Sequence, residues 1–307
     1  MRYNNDVKCL FLYNPQSGKG ITNKKLALVE RMLKSKYDEV EFYATKSAED
    51  MEEKARAAAE TCDALVFAGG DGSFNTVLQG LGEKRIPLGY IPTGTTNDAA
   101  HSLGIPRRVK GALKVILHGH TAPVDCMRIN GERYAIYIAC AGSLASVTYE
   151  TPQKSKRRLG WFAYAFSVLK KMSTFETFPF RVTCGDEVME SNGALVFIMN
   201  GKWIARFPVN KKSSMQDGTL EVAVIKEAPK PGFFRKLAAF CRLGLFMLFG
   251  CRLRMKNLVL LRGSNMKVEV GDGVIWDYDG EKGSGGSIEV ETLRGHVNLF
   301  VNRHKKI

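Results

Sequence analysis

Residues 64–81 read ALVFAGGDGSFNTVLQGL, an apolar run followed by a glycine-rich loop and a second apolar run. The first run, Ala64–Ala68, predicts a buried strand, and Thr76–Leu81 predicts the start of a helix. Glycines between a strand and a helix allow backbone N–H groups to approach a phosphate closely. Because Asp71 would repel a bare phosphate, its place in the loop indicates that a cation or a reacting hydroxyl lies between them. The stretch predicts metal–nucleotide chemistry, and a plain Asp-Gly turn is the alternative.

Two further strand–loop–helix patterns flank this one. The apolar run Val7–Leu12 ends in the loop Tyr13–Gly20, and a helical pattern follows with Thr22 as its N-cap. The run Pro87–Ile91 leads into the loop Pro92–Ala100. Since loops at the carboxyl ends of the strands of an open α/β sheet converge on one crevice, the three polar loops predict a single site. The sequence has neither a G-x-x-x-x-G-K-[ST] phosphate loop nor a G-x-G-x-x-G dinucleotide loop at these positions.

Composition narrows the class of protein. With 307 residues, 45% of them hydrophobic, the chain can form two domains with sizeable cores. The N-terminus lacks a signal-peptide pattern, and the seven cysteines are scattered, which together favour free thiols in a reducing cytoplasm. The net charge of +14 predicts attraction to a polyanion. No zinc-finger, helix-turn-helix or RNP-type pattern supports nucleic acid as that polyanion, so an anionic membrane is favoured, with surplus charge for solubility as the alternative.

Basic residues flank apolar segments in the C-terminal half of the chain. They cluster at Lys154–Arg158, Lys230–Lys236, Arg242 and Arg252–Lys256. Such a pattern is typical of proteins that work at a bilayer surface. Residues 233–249 contain three charges, so they do not predict a transmembrane span. Their apolar stripe predicts a helix that packs on the protein, with lipid contact as the alternative.

The pattern changes after Asp125. Residues 1–125 alternate strands and helices, including a helix with a capping-type start at Ser47–Asp50, and predict a parallel-sheet α/β nucleotide-binding domain. Residues 126–301 predict an antiparallel β-rich domain, interrupted by helices at about 158–172 and at 233–249. Its expected strands are Tyr134–Ala141, Phe180–Cys184, Ala194–Met199, Leu220–Ile225, Asn257–Leu261, Lys267–Val270, Ser287–Glu291 and His296–Val301.

The three loops carry the patterns N-P-x-S-G-K-G, G-G-D-G-[ST]-x-N and P-x-G-T-x-N-D, in this order. In these the sequence resembles the catalytic domain of the diacylglycerol kinase and sphingosine kinase superfamily, most closely its soluble bacterial lipid kinases. Later landmarks also match, so the resemblance spans residues 7–301. These landmarks are Lys156–Tyr164, Asn200-Gly201, Asp217-Gly218 and Asp279-Gly280-Glu281.

The resemblance implies an NAD-kinase-like first domain, a lipid-substrate second domain and an active site in the cleft between them. It also allows the tail, residues 302–307, to return to the first domain. The implied activity is transfer of the γ-phosphate of ATP, with Mg²⁺, to a hydroxyl of a diacylglycerol-like or sphingoid lipid in phospholipid biosynthesis. The enzyme would be cytoplasmic and peripheral at the inner membrane face, with a lipid substrate and an anionic membrane as partners and a homodimer left open. The alternatives are a non-catalytic lipid- or polyanion-binding protein and a kinase of a soluble, NAD-like substrate.

Phosphoryl transfer requires donors for the phosphate oxygens, a cation and a carboxylate near the acceptor hydroxyl. Asp71 and Asp98 are candidates for holding the Mg²⁺ of the nucleotide, with helix capping as the alternative for Asp98. Thr45 is added by the resemblance alone, since the residues themselves indicate only a strand end. The expected nucleotide contacts are Asn14, Pro15, Gln16, Ser17, Gly18, Lys19, Thr45, Gly69, Gly70, Asp71, Gly72, Ser73, Phe74, Asn75, Thr93, Gly94, Thr95 and Asn97.

Asp279 and Glu281 are the candidates for a general base that deprotonates the lipid hydroxyl, with Asp71 as the next catalytic candidate. The alternative is a plain Asp-Gly turn followed by a solvated glutamate. The resemblance further implies a second, structural Mg²⁺ at Asp217, completed by the carbonyl groups of Ser214 and Thr219.

Three departures from the family's patterns bear on these roles. Thr76 stands where the second loop usually continues with glutamate, so any acceptor or metal role of that glutamate is missing or supplied elsewhere. Gln216 stands where an aspartate is common, which predicts weaker metal binding at the neighbouring Asp217. The segment Ala205–Phe207 replaces a glycine-rich turn and puts lipid access in question.

Overall fold

The computed structural model of the chain describes residues 7–15, 21–142, 177–225 and 258–303, together with residues 245 and 250. Within this part the chain forms five regular helices and sixteen strands, and no helix there is both long and apolar enough to cross a membrane. The helices expected at 158–172 and 233–249, the four basic clusters and the loop residues Gln16–Lys19 lie outside the described residues, apart from residue 245.

The elements alternate at first and then become almost entirely β. The early elements are β1 (Lys8–Tyr13), α1 (Asn23–Leu33), β2 (Glu39–Ala44), α2 (Ala48–Thr61), β3 (Ala64–Gly69), α3 (Asp71–Leu81), β4 (Leu88–Pro92), α4 (Asp98–Ser102) and α5 (Val109–His118). The later elements are β5 (His120–Ile129), β6 (Arg133–Ala135), β7 (Ile138–Gly142), β8 (Phe178–Cys184), β9 (Glu187–Gly193), β10 (Leu195–Met199), β11 (Leu220–Ile225), β12 (Leu258–Gly263), β13 (Asn265–Val270), β14 (Ile275–Tyr278), β15 (Glu281–Gly285) and β16 (Ile288–Val301).

The first of two compact units comprises Met1–Asp125 and Arg294–Ile307. Its parallel strands lie in the order β2-β1-β3-β4, and Leu299 of β16 pairs in parallel with Leu88 of β4. Every residue of β3 and β4 is buried, as expected for central strands of a parallel sheet covered on both faces. Two helix starts predicted from sequence are confirmed, since Thr22 and Ser47 accept hydrogen bonds from the backbone N–H groups of Lys25 and Asp50.

The second unit, Cys126–Leu293, is built from antiparallel strands. One sheet has the order β12-β11-β10-β7-β14-β15, and in another β9, β8, β13 and the first residues of β16 pair in turn. Alternating side chains of these strands meet in an apolar core around the fully buried Trp276. The predicted fold class, a parallel-sheet α/β domain followed by an antiparallel β-rich domain, is confirmed.

Three expectations about single elements are wrong. The strand expected over Tyr134–Ala141 is broken at Ile136–Tyr137, where the backbone bonds to side chains instead of a neighbouring strand. The two strands expected at Ser287–Glu291 and His296–Val301 are one, β16, which passes through Gly295 at a φ of 57°. The helix expected from Thr76 already begins at Asp71.

The last residues of β16 belong to a different unit from the one expected. Residues 126–301 were predicted to form the second domain, but 294–301 group with the first unit. The reason is local pairing: Leu299 lies beside β4, and the N–H of Gly295 donates to the carboxylate of Asp125 at 2.7 Å.

Candidate active site

The carboxyl ends of four parallel strands carry the nucleotide-loop residues of the first unit. In the register of the sheet, Tyr13 pairs with both Ala44 and Ala68, and Gly69 pairs with Pro92. Thr45 is buried, and its N–H donates to the carbonyl of Tyr13 at 2.9 Å. The ends of β2, β1, β3 and β4 therefore lie along one edge of the sheet, as the strand–loop–helix pattern predicts.

The GGDG stretch joins the end of β3 to the first turn of α3. Gly70 is the N-cap residue and provides no side-chain cap for the backbone N–H groups of the first turn. Gly69 must be glycine, because a Cβ there would collide with the side chain of Ser73. Gly70, Gly72 and Ser73 are only half-buried, and they lie at the N-terminus of an 11-residue helix, a position where backbone N–H groups commonly bind anions.

The loop after β4 packs directly on this turn. The N–H of Thr93 donates to the carbonyl of Gly69 at 2.8 Å. A Cβ on Gly94 would lie 2.5 Å from Cα of Gly70, so the two glycines set the distance between the loops. Asn97 closes its own loop, since its Oδ1 accepts from the N–H of Gly94 and its Nδ2 donates to the carbonyl of Gly94, both at 2.9 Å.

Asp71 joins the two loops through its carboxylate. Oδ2 accepts from the hydroxyl of Thr96 at 3.0 Å and from the N–H of Asp98 at 3.1 Å, and Oδ1 accepts from the N–H of Ala99 at 3.0 Å. Asp71 therefore caps α4, whose own N-cap residue Asn97 makes no side-chain cap. From the sequence, we expected this carboxylate to face a cation beside the phosphates. In the structure it faces the N-terminus of α4 instead.

Burial dominates the electrostatics of this carboxylate. Asp71 is 7% exposed, and its burial raises the pKa of the carboxyl group, while the hydrogen bonds from Ala99, Asp98 and Thr96 act in the opposite direction. Burial, followed by the charges of Asp71 and Asp98, also raises the pKa of the Tyr90 hydroxyl well above its usual value. Asp98 is 2% exposed and is the first residue of α4 rather than its cap.

Two other expected nucleotide contacts are packing residues by position. Phe74 is fully buried and contacts the rings of Phe67 and Tyr90, with centroids 5.2 Å and 5.0 Å away. Asn75 is 2% exposed, and its Oδ1 accepts from Nε2 of Gln79 at 3.1 Å. Thr93 and Thr95 remain half-buried, Asn14 is half-buried and Pro15 is exposed, whereas Gln16–Lys19 are outside the described residues.

Two residues of this site were missed from the sequence. Thr96 occupies a variable position of its loop pattern, and nothing in the sequence indicates that its hydroxyl binds Asp71. Arg107 is an exposed cation whose Nη2 donates to the carbonyl of Thr95 at 3.3 Å. The surrounding residues, Pro106-Arg107-Arg108, predict a loop and do not indicate a contact with Thr95.

In the second unit, the Asp279-Gly280-Glu281 turn connects β14 to β15. Asp279 is 1% exposed, and its carboxylate accepts from the N–H groups of Ile136, Tyr137 and Ile138 at 2.6, 3.0 and 3.1 Å. These donors belong to the bend that breaks the expected strand. Asp279 is therefore anchored to the backbone, whereas Glu281 is exposed at the start of β15.

The Asn200-Gly201 landmark reaches the same bend from the other side. Nδ2 of Asn200 donates to the carbonyl of Ile136 at 2.8 Å, and the N–H groups of Asn200 and Gly201 donate to the carbonyl of Tyr137. Two landmarks that are distant in sequence thus hold one short stretch of backbone.

The expected structural metal site does not have the contacts of a metal site. Oδ1 of Asp217 accepts from the N–H and the hydroxyl of Thr219 at 3.0 and 2.6 Å, and Oδ2 accepts from Nη2 of Arg262 at 2.8 Å. Ser214 is half-buried three residues before Asp217. Among the described residues, no three His, Cys, Asp or Glu side chains are grouped so that they could hold a metal ion.

Two family models match the chain. The diacylglycerol kinase catalytic domain matches residues 8–129, and the YegS C-terminal NAD kinase beta sandwich-like domain matches residues 138–301. The chain is 30% identical over 299 residues to the diacylglycerol kinase of Bacillus subtilis (strain 168), covering 96% of each chain. It is 35% identical over 223 residues to the diacylglycerol kinase of Staphylococcus aureus (strain JH9), covering 71% of this chain and 70% of the relative.

Solved structures agree with these relatives. A crystal structure of a candidate diacylglycerol kinase from Bacillus anthracis strain Sterne superposes with a TM-score of 0.82 at 26% identity, covering 96% of this chain and 95% of that chain. A diacylglycerol kinase structure from the same organism superposes with a TM-score of 0.75 at 24% identity, covering 96% and 97%, and supports the fold. The chain belongs to the diacylglycerol kinase family, whose members are phosphotransferases with an alcohol group as acceptor.

Proposed function

We propose that the chain transfers the γ-phosphate of ATP to the hydroxyl of a diacylglycerol at an anionic membrane surface. Membership of the diacylglycerol kinase family supports a lipid kinase. ATP binding is supported mainly by the contact between the loops after β3 and β4. Asp71 joins these loops by hydrogen bonds, and Gly70 and Gly94 allow them to approach closely.

The half-buried backbone of these loops suits a polyphosphate. Gly70, Gly72 and Ser73 present N–H groups at the N-terminus of α3, where the helix dipole favours negative charge. Thr93 and Thr95 offer further polar groups from the neighbouring loop. Such fixed donors suit phosphoryl transfer, which depends mainly on positioning and electrostatic stabilisation.

We expect a divalent cation to arrive with the nucleotide. Mg²⁺ is usually held by one or two carboxylates together with phosphate oxygens and water. Asp71 does not fit the role of a direct ligand, because its two carboxylate oxygens already accept three hydrogen bonds. Asp98, the other carboxylate named for this role, is itself 2% exposed. When bound, the ion would neutralise charge on the phosphate oxygens.

Glu281 is the better candidate for the general base. Its carboxylate is exposed, whereas that of Asp279 is buried and bonded to three backbone N–H groups. A base must reach the hydroxyl whose proton it accepts, and only the exposed member of the pair can do so without unfolding the turn. Asp279 is then a positioning residue, because its hydrogen bonds fix the turn that carries Glu281.

The connection between β10 and β11 supports an anionic membrane as partner. Residues 200–216 contain the cations Lys202, Arg206, Lys211 and Lys212 and no acidic residue. Lys211, Lys212 and Arg206 are exposed, and the N–H of Asn210 donates to the carbonyl of Lys202 at 3.0 Å, so the connection folds back on itself. Clustered cations of this kind are attracted to anionic lipid. An enzyme that acts there would work at the cytoplasmic membrane face.

The proposal is tested by transfer of label from ATP labelled in its γ-phosphate to mixed micelles. The panel contains a diacylglycerol, a sphingoid base and, as a soluble acceptor, NAD. We expect label on the diacylglycerol. Glu281→Gln should lower kcat by about 10²–10⁴-fold, the usual loss for a general base, while ATP binding measured by calorimetry stays unchanged.

Glu187→Gln is the matched control. Glu187 also begins an exposed strand directly after a tight turn, but belongs to no family landmark, so its substitution should leave kcat unchanged. Transfer of the labelled phosphate to NAD alone would contradict the proposal that the protein is a lipid kinase. Binding of ATP without transfer to any acceptor would instead indicate a non-catalytic protein on this fold.

A further inference from the structure

We propose that the guanidinium of Arg262 supplies the positive charge that the family resemblance assigns to a second metal ion, so that the turn at Asp217 is stable without a divalent cation. The inference concerns the stability of the second unit. It does not depend on the identity of the phosphate acceptor.

The guanidinium is bound by the carboxylate that a metal ion at this turn would need. Nη2 of Arg262 donates to Oδ2 of Asp217 at 2.8 Å, and Nε donates to the hydroxyl oxygen of Thr219 at 2.9 Å. That hydroxyl in turn donates to Oδ1 of Asp217 at 2.6 Å. The planar fork of an arginine makes such paired contacts with fixed geometry, which a lysine cannot do.

A second carboxylate holds the same guanidinium. Nε of Arg262 lies 3.4 Å from Oε1 of Glu221, whose side chain is 14% exposed and whose Oε2 accepts from Nδ2 of Asn210 at 2.7 Å. Glu221 on β11 and Arg262 on β12 are direct cross-strand partners in the register of the sheet. The position of the arginine is therefore set by strand pairing as well as by charge.

The turn itself offers few charged ligands to a cation. Gln216 provides no charge where an aspartate is common in the family, so Asp217 is the only carboxylate of the turn itself. Mg²⁺ requires oxygen ligands in a nearly ideal octahedron and gives up water reluctantly. To bind Oδ2 of Asp217, it would have to displace the guanidinium or lie close to it, where like charges repel.

The test measures thermal unfolding of the full chain with millimolar Mg²⁺ and with an excess of EDTA. The wild-type midpoint should be the same in both. Arg262→Ala should lower the midpoint in EDTA by about 2–4 °C, the shift that loss of one modest interaction produces in a domain of 150–250 residues. Added Mg²⁺ should then restore much of that loss, because the ion can occupy the vacated carboxylate.

Arg128→Ala is the matched control. Arg128 also pairs with a cross-strand glutamate of the second unit, Glu291, at 2.8 Å, but no Asp-Gly turn lies beside it, so Mg²⁺ should not restore its loss. Adding Asp217→Asn to Arg262→Ala should abolish the Mg²⁺ response. The proposal is overturned if EDTA lowers the wild-type midpoint or if Mg²⁺ stabilises the wild type as much as Arg262→Ala. The wild-type comparison decides the matter even if Arg262→Ala does not fold.

Discussion

The two carboxylates of the Asp-Gly-Glu turn show how neighbouring residues acquire different roles. Asp279 has a φ of 55°, in the left-handed region, and its carboxylate accepts three N–H groups from the bend between β6 and β7. A buried carboxylate with this many partners stabilises the fold. Glu281, two residues later, is exposed at the start of β15, and we propose it as the general base.

Asp279→Asn should destabilise the second unit. The amide group would place an N–H₂ donor where one carboxylate oxygen now accepts, so at least one buried backbone N–H would lose its partner. The expected loss is about 1–3 kcal/mol of unfolding free energy, measured by urea denaturation. Asparagine tolerates a positive φ well, so backbone strain does not confound the result.

Glu281→Gln serves as the comparison in the same experiment. As an exposed substitution it should change the unfolding free energy by less than about 0.5 kcal/mol. If Asp279→Asn is as stable as the wild type but has lost kcat, then Asp279 acts on the substrate and the anchoring role is wrong.

At the scale of elements, the site depends on how closely two loops approach. The loops after β3 and β4 touch through Gly70 and Gly94, and Asp71 spans from the start of α3 to the start of α4. Each loop alone has the composition of an ordinary turn. Together they place the N-terminus of α3 and the loop after β4 side by side at one edge of the sheet.

Gly94→Ala should damage the contact between these loops. The new Cβ would lie 2.5 Å from Cα of Gly70 and 2.7 Å from Oδ1 of Asn97, and backbone atoms cannot move away cheaply. Overpacking of this kind costs about 1–3 kcal/mol, so we expect lower thermal stability and weaker ATP binding by calorimetry.

Gly271→Ala is the corresponding control, because a Cβ on Gly271 meets nothing within 4 Å. It should leave ATP binding unchanged and keep or slightly raise stability, as an alanine restricts the unfolded chain. Unchanged ATP binding in Gly94→Ala would mean that the nucleotide does not use this pair of loops.

At the scale of the whole molecule, the net charge of +14 predicts a long-range attraction to anionic surfaces. If total charge alone attracts the protein to an anionic membrane, no particular surface of the protein needs to face the lipid. If the protein docks, a specific surface must contact the lipid. The basic connection at 200–216 makes the two cases distinguishable, because its exposed lysines can be removed without touching the proposed nucleotide loops or Glu281.

Replacing Lys211 and Lys212 together by alanine should weaken sedimentation with anionic vesicles by roughly ten- to thirtyfold. The estimate assigns about 1 kcal/mol to each lysine that lies near an anionic surface. Binding of the wild type should fall as salt rises, since the screening length is about 10 Å at 0.1 M.

The control replaces Lys110 and Lys114, two exposed lysines of α5, and removes the same charge. It should have a clearly smaller effect. Equal losses in the two double variants would show that total charge alone attracts the vesicles, and binding to neutral vesicles that is independent of salt would remove the electrostatic account.

Short-range signals in the sequence were sufficient to predict the local features. Apolar runs of strand length, polar caps such as Thr22 and Ser47, and glycines after β3 and β4 are short-range signals, and they predicted the parallel-sheet domain and the position of its loops. The order of three loop patterns was enough to indicate the family. These properties depend on residues a few positions apart, so they can be inferred without three-dimensional contacts.

The contacts of the individual carboxylates could not be predicted in this way, because they depend on the folded chain. Asp71 bonds to groups 25–28 residues away, Asp279 to backbone 141–143 residues away, and Asp217 to a guanidinium 45 residues away. The same long-range bonds broke the strand expected at Tyr134–Ala141. A carboxylate's role depends on which donors surround it and on how far it is from water. Those donors come from distant segments, whose meeting is fixed by strand pairing and packing and leaves no signal in the local sequence.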